Sequence, residues 1–377
     1  MNILFFAYDF ERGGIARYSR EVADGLGQLG HKVFVVSDFT KGIPDPFGDR
    51  AFTSLSFAKK NLRSPSFWLD FLSLRLLVRK LSIDMMLLAA LFPYGPMALL
   101  LSKSTGIPFS IFVHGAELFV QKRKTKWIVS RIFQNASHII CVSDFTRTTL
   151  LRRFPESHDP AVIPPGTHPE IFKPAADREA LLEKHGLKGR KVVLTASRLV
   201  RRKGQGQVIR ALPKIMERVP EVLYLIVGSG PAEPELRALT QEIGLSEQVR
   251  FLGYIADEKL PELYALCDVF VLPSMETTHT ESGSRGIEGF PAVFLEASAC
   301  GRPIVAGKSG GSAEAVLDGV TGFLVDGKSV EQITDAVLRL LLDEELANRF
   351  GQTGRHRVKK EFSWDAIIRR IEKEICG

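Results

Sequence analysis

Glu288 and Glu296 stand eight residues apart, with Gly289 and Pro291 between them. Pro291 is expected in the first turn of a helix, where a missing N–H costs nothing. Residues 292–300 continue that helix, and Gly301 closes it. Glu288 then lies in the loop before the helix, and Glu296 more than a turn inside it. The first-turn N–H groups near Phe290, Ala292 and Val293 lie between the two carboxylates. Carboxylates accept hydrogen bonds from sugar hydroxyls, and a helix N-terminus attracts phosphate. A nucleotide sugar has both parts. A glutamate pair at this spacing also arises by chance, so the rest of the chain must support that reading.

A departing diphosphate needs positive charge. No Asp-x-Asp occurs, and no His/Cys cluster has metal-ligand spacing. The charge is therefore expected from side chains, with no metal and no cofactor. Arg198 and Lys203 share one loop after an apolar run. Arginine grips phosphate bidentately and lysine acts as a point charge, although a solvated surface loop has the same composition. His114-Gly-Ala-Glu117 follows a predicted strand, at the carboxyl end where open α/β sheets place ligands. Gly13-Gly14 opens a predicted helix, so its N–H groups can approach an anion; a plain tight turn uses the same pair.

Two other motifs are set aside. Gly228-Ser-Gly-Pro-Ala-Glu233 starts like a dinucleotide fingerprint but has Glu233 where the third glycine belongs. Gly322-Phe-Leu-Val-Asp-Gly-Lys-Ser329 matches a phosphate loop letter for letter. Its interior is apolar and strand-like, however, and Ser329 with Gln332 forms a capping box.

The elements that hold these residues alternate. Residues 2–7 and 30–37 are predicted strands around a helix that ends at Leu29, the opening of a doubly wound sheet. Residues 83–90, 108–113 and 137–143 are further strands. Residues 162–174, rich in proline, form a linker. The pattern then repeats, with strands at 191–196, 222–227, 249–252, 269–272, 303–306 and 322–325 and a helix at 207–217. A last amphipathic helix covers 363–375. Two doubly wound α/β domains are expected, at 1–166 and 167–360, with 361–377 returning to the first.

The totals are those of a globular chain, 45% hydrophobic and 25% charged. A net charge of +7 permits an anionic partner without naming one. Cys141, Cys267, Cys300 and Cys376 are scattered, as in a reducing compartment. The first ten residues lack a basic region and a cleavage site, unlike a signal peptide. The apolar run 85–101 contains Pro93, Gly95 and Pro96, which suits a strand, a turn and a helix better than a membrane span. A cytosolic protein is expected. Residues 67–81 and 121–133 are basic and amphipathic, with Trp68 and Trp127. They fit either a solvated face or an anionic membrane surface at its inner side.

Taken in order, Gly13-Gly14, His114-Gly-Ala-Glu117, Ile163-Pro-Pro-Gly166, Arg198-x4-Lys203, Gly228-Ser-Gly230 and Glu288-x7-Glu296 resemble the retaining glycosyltransferases of family 4, which have the GT-B fold. The resemblance covers nearly the whole chain. Ser282-Gly-Ser-Arg-Gly-Ile-Glu-Gly-Phe290 and Ala306-Gly-Lys-Ser-Gly-Gly311 look most like bacterial mannosyltransferases, including those acting on phosphatidylinositol mannosides.

The resemblance implies two Rossmann-like domains facing across a cleft and a metal-independent transfer of a hexose. Arg198 and Lys203 would bind the donor diphosphate, and Glu296 the ribose hydroxyls. Glu288, with backbone N–H groups of Gly289, Phe290, Pro291's neighbours and Ala292, would hold the sugar. Gly13 and Gly14 would close on the phosphates, and His114 would lie beside the reacting carbon. The base would be held near Gly253 and Tyr254. Pro165 and Pro291 depart from the usual Asn and Gly of the family's motifs, the second inside the sugar site. Mannose from GDP-mannose, moved to a lipid-linked or polysaccharide acceptor, is the expected chemistry. A UDP-sugar donor, a nucleotide-sugar 2-epimerase and a non-catalytic polyanion-binding module are the alternatives; no nucleic-acid partner is expected of the enzyme.

Overall fold

Short β-branched runs that are apolar at every position suit strands covered on both faces. Val222–Val227 is such a run, and all six residues are buried. Its alternate side chains serve two different cores. Leu223 and Leu225 join Val192 and Leu194 in one, whereas Tyr224 and Ile226 join Val193 in the other. That period of two across a central sheet is the signature of helices on both sides.

The structure, a computed structural model, describes residues 1–7, 13–37, 52–56, 65–277 and 286–376. Arg12 and residues 282–285 of the motif beginning at Ser282 lie outside them. The chain divides into two compact units, Met1–Pro165 with Trp364–Gly377, and Gly166–Ser363.

The first unit holds β1 (Asn2–Phe6), β2 (Lys32–Ser37), β3 (Phe52–Ser56), β4 (Met85–Leu88), β5 (Phe109–Val113), β6 (His138–Cys141) and β7 (Ala161–Val162). They form a seven-stranded sheet in the order β3-β2-β1-β4-β5-β6-β7. The second unit holds β8 (Lys191–Ala196), β9 (Val222–Val227), β10 (Val249–Gly253), β11 (Val269–Leu272), β12 (Ile304–Gly307) and β13 (Gly322–Val325). Its six strands run β10-β9-β8-β11-β12-β13. Every pairing in both sheets is parallel. Both orders are the doubly wound arrangement, which reverses once beside the first strand of its unit. The expected α/β class and the repetition of one architecture are both observed.

Several local expectations are met for the reasons given. The run 85–101 is β4, a turn and the helix Gly95–Thr105. Among the described residues no helix is long and apolar enough to cross a membrane. The phosphate-loop look-alike is β13 followed by a helix, Val330–Leu342, whose cap Ser329 accepts the Gln332 N–H at 3.2 Å. Phe52–Ser56, Asp144–Arg153 and Glu344–Glu361 were not anticipated.

The terminal helix Trp364–Cys376 presents Trp364, Ile367, Ile368, Ile371 and Ile375 to the first unit's core. Those positions follow the helical spacing of one apolar stripe. Gly25, on the helix Gly14–Gln28, has no Cβ, and one placed there would overlap Ile368. The two helices therefore approach closely. Ile371 is fully buried, so Ile371→Ala is expected to destabilise the first unit by about 2–5 kcal/mol. Urea unfolding followed in the first unit checks this; an unchanged midpoint would remove the helix from that core.

Candidate active site

The second sheet reverses between β8 and β11. Loops leaving neighbouring strands on either side of such a point diverge, and the gap at their carboxyl ends is where open sheets take ligands. The loop after β8 carries Arg198, Arg202 and Lys203. The loop after β11 begins at Pro273 and ends at Glu288. Two backbone contacts hold its described ends, residues 273–277 and 286–288. The Met275 N–H donates to the Arg202 carbonyl at 2.7 Å, and Thr277 and Gly286 exchange hydrogen bonds of 2.9 and 3.0 Å. Glycines make the fit possible. A Cβ on Gly204, at φ +79°, would strike the Pro273 carbonyl, and Gly307 and Gly327 are equally close to residues 273–275.

The result is a buried carboxylate gripped by two cations. Glu288 is 7% exposed. Arg202 Nη1 lies 2.6 Å and Lys203 Nζ 2.7 Å from the same oxygen, Oε1. Burial alone would raise the Glu288 carboxyl, but Lys203 and Arg202 outweigh it and hold it down to about 2. Lys203 is pulled below the ordinary lysine range, first by burial and then by the like charges of Arg202 and Arg198, against the attraction of Glu288. From the other side, the Gly311 N–H donates to the Glu288 carbonyl at 3.0 Å. Gly310, at φ +50°, leaves room for that carbonyl where a Cβ would collide. Two basic side chains contact one acid here, and Arg198 adds a third positive charge close enough to act on Lys203.

Arg198 is exposed at the start of the same loop. The loop is braced by the Gly228-Ser-Gly230 turn after β9. Leu199 N–H donates to the Ser229 carbonyl at 3.0 Å, and a Cβ on Gly228 or Gly230 would run into residues 197–199. That close approach explains the two glycines, so the fingerprint reading is unnecessary. Gly253 closes β10 at φ +66°, and its carbonyl accepts the Gly228 N–H at 2.7 Å. Tyr254 follows, 60% exposed, at this same end of the sheet.

The helix after Glu288 is Ala292–Ala299, with Pro291 as its cap at ψ 96°. Proline was expected one position later, inside the first turn. The extended ψ at Pro291 places it just outside, where its carbonyl accepts the Phe294 N–H at 3.1 Å. Gly289, Phe290, Pro291, Ala292 and Val293 thus form the approach and first turn, whose N–H groups have no partner one turn back. Glu296 lies a turn further along and is 4% exposed. Gly301 ends the helix at φ +70°, as expected.

Gly13, Gly14 and His114 belong to the first unit. There the sheet reverses between β1 and β4, and all three follow strands at the carboxyl end. Gly13 caps the helix Gly14–Gln28 at φ +96° without a side-chain hydrogen bond. A Cβ on either glycine would meet no atom of the described residues within 4 Å. His114 Nε2 lies 2.8 Å from the Ala89 carbonyl, just past β4. A carbonyl only accepts, so Nε2 carries the proton and Nδ1 is the second ring nitrogen left for other chemistry. Glu117 Oε1 accepts the His114 N–H at 2.6 Å, and Tyr18 meets the imidazole edge-on at 5.2 Å.

The structure therefore joins Arg202, Lys203 and Glu288 in direct contact. Arg198 stands close enough for its charge to be felt at Lys203. Gly13, Gly14 and His114 make a second group on the other sheet. Arg202 is the residue of this cluster that sequence reasoning missed. Arg201-Arg202-Lys203 is a run of three cations, and only the loop's path shows which two turn inward.

Comparison with known proteins identifies the family of the chain. The Glycosyl transferases group 1 family matches residues 177–357, and Glycosyltransferase Family 4 matches residues 12–171. A GDP-mannose-dependent alpha-(1-6)-phosphatidylinositol monomannoside mannosyltransferase of Mycobacterium tuberculosis is 32% identical over 386 residues, covering 100% of this chain and 98% of the relative. The protein of the same name from Mycolicibacterium smegmatis is 41% identical over 248 residues, which are 66% of this chain and 64% of that one. Anabaena HepE, solved with UDP and glucose, superposes with a TM-score of 0.84 at 21% identity over 100% of this chain and 99% of its own. That likeness is one of fold, and with the two doubly wound sheets it is the GT-B class. A relative above 30% identity that matches from end to end leaves one conclusion: the chain belongs to glycosyltransferase family 4 and is a nucleotide-sugar-dependent hexosyltransferase.

Proposed function

We propose that the protein moves mannose from GDP-mannose to a lipid-linked or polysaccharide acceptor at the inner face of the cell membrane, with retention of anomeric configuration. The observation that carries the donor half is the buried Glu288 carboxylate fixed by Lys203 and Arg202 at a switch point of the second sheet. Arg198 and Lys203 bind the diphosphate. As the bond from the anomeric carbon to the phosphate oxygen breaks, the electron pair stays with the diphosphate, and these cations stabilise it. The acceptor oxygen attacks on the same face and passes its proton to the departing phosphate oxygen. No metal is needed for the charge balance. Glu288 and the backbone of Gly289, Phe290, Ala292 and Val293 hold the sugar, with Pro291 shaping that turn. Glu296 accepts from the ribose, and Gly253 and Tyr254 flank the base. For Gly13 and Gly14 of the first unit the family resemblance implies a phosphate role, and for His114 a role in the transfer. The identity of the sugar and base is supported by the end-to-end relative that uses GDP-mannose.

The acceptor half is supported by a surface on the first unit. On the helix Pro65–Lys80, Trp68, Leu69, Leu72 and Leu76 are 53, 64, 52 and 70% exposed. They form one apolar stripe that ends at the exposed cations Arg79 and Lys80. On the helix Arg123–Asn135, Trp127 is 62% exposed beside Arg123, Lys124 and Lys126. Both helices pack against Gly95–Thr105. Apolar side chains among cations, with no acid on the second helix, suit an anionic bilayer.

Three measurements test this. A calorimetric panel of GDP- and UDP-sugars is expected to show GDP-mannose binding most tightly. Binding of neither class would end the proposal, and conversion of UDP-N-acetylglucosamine without an acceptor would make the protein an epimerase. Glu296→Ala and Lys203→Ala are each expected to weaken donor binding by about tenfold or more while the fold persists; unchanged affinity in either refutes the role assigned. The protein should float with anionic liposomes, and Leu72→Glu with Leu76→Glu should cut the bound fraction about tenfold or more. Equal flotation of that double variant would rule the helix out as the contact.

A further inference from the structure

Arg201, Arg202 and Lys203 are consecutive but do different work. Arg201 Nε pairs with Glu235 at 2.7 Å on the surface, with its side chain 80% exposed. Arg202 and Lys203 turn inward to Glu288, with side chains 23% and 13% exposed. Both meet one oxygen of a carboxylate that has little access to water. Two cations on one buried carboxylate are more than its charge requires, and a donor changes that balance.

In the proposed donor complex Lys203 must also serve the diphosphate. Its three N–H donors let it touch a phosphate without leaving Glu288. Even so, the incoming anion shares its charge and brings like charge toward a buried carboxylate. A buried carboxylate in that position takes up a proton unless another cation holds it. Arg202 is built to be that cation. The planar donors of its guanidinium hold direction better than an ammonium. Its backbone is fixed by the Met275 N–H, and the next turn is fixed by Gly204 against Pro273. We propose that Arg202 is the positioning residue that keeps Glu288 ionised and aimed at the donor sugar while Lys203 is engaged by the diphosphate. This rests on the roles given above to Lys203 and Glu288.

Among the described residues, the charged groups around Glu288 are few. The loop after β8 contributes Arg202 and Lys203, with Arg198 acting on Lys203. The loop after β11 contributes Glu276, whose Oε1 accepts the Gly310 N–H at 3.3 Å. The loop after β12 carries the exposed Lys308 and turns backbone N–H groups inward. The helix Ala292–Ala299 carries one acid, Glu296. Among these described residues Arg202 is an inward cation that the proposed diphosphate does not claim.

The test compares wild type, Arg202→Gln and Arg202→Lys. Calorimetric binding of GDP-mannose in two buffers of different ionisation enthalpy counts the protons taken up. Wild type and Arg202→Lys are expected to take up none on Glu288, and Arg202→Gln close to one per donor. The acid limb of kcat should move up by about one to three pH units in Arg202→Gln and return in Arg202→Lys. In Arg202→Lys, kcat should fall on the order of tenfold with KM little changed, because charge survives and direction does not. Without donor, Glu288 stabilises the fold above the unfolded carboxyl range. That contribution is lost as pH falls through its folded value of about 2. In Arg202→Gln the loss should begin at higher pH. An Arg202→Gln protein with wild-type proton count and acid limb overturns the inference while the donor reading stands. If that variant does not fold, wild-type kcat in Arg202→Lys overturns it instead. A wild-type protein that binds no nucleotide sugar sinks both readings.

Discussion

A single carboxylate oxygen, Glu288 Oε1, held by Arg202 and Lys203 in a place nearly closed to water, is the constraint on which the second unit's site is built. A buried acid with no cation would be neutral, and a buried lysine with no acid would lose its proton. Together they stay ionised, and the cost of burying them is met by short, charge-assisted bonds. Removing one partner from such a pair typically costs about 3–5 kcal/mol. The arrangement is thus costly to disturb, and it is displayed where a doubly wound sheet opens.

The surrounding fold serves that contact through backbone proximity. Gly204, Gly307 and Gly327 press on residues 273–275, and Gly310 presses on the Glu288 carbonyl. Each is a place where a side chain would force two loops apart. The loops after β8, β11 and β12 come from different parts of the sequence and are set side by side only by the sheet order. Their registration decides whether two cations reach one oxygen. In the first unit the same topology puts the His114 ring against the Ala89 carbonyl, which fixes its tautomer.

Much of this was legible in the sequence because it depends on local rules. Strands buried on both faces must be apolar throughout, and those runs stood out. Glycine at the end of a helix, and Ser329 ahead of Gln332, signalled their roles by position. The glutamate spacing located a loop and the helix after it. Other features depend on contacts that spacing does not encode. Pro291 sits at the cap because the chain enters extended, which residue type alone does not decide. Asp144–Arg153 has three threonines, poor helix formers, and is rescued by Ser143, which accepts the Thr146 N–H at 3.1 Å. Arg202 could not be told from Arg201, because their difference lies in their distant partners, Glu288 for Arg202 and Glu235 for Arg201. The roles of Arg198, Glu296 and the first-unit residues rest on the family resemblance together with their places, Glu296 in the helix Ala292–Ala299 and the others after strands.

The measurement that bears most directly on this account is a crystal structure of the protein with GDP. The account requires the β-phosphate within hydrogen-bonding distance of Lys203 Nζ and the Arg198 guanidinium, with Arg202 still on Glu288 and the ribose on Glu296. A diphosphate bound elsewhere, with those cations turned to solvent, would contradict it.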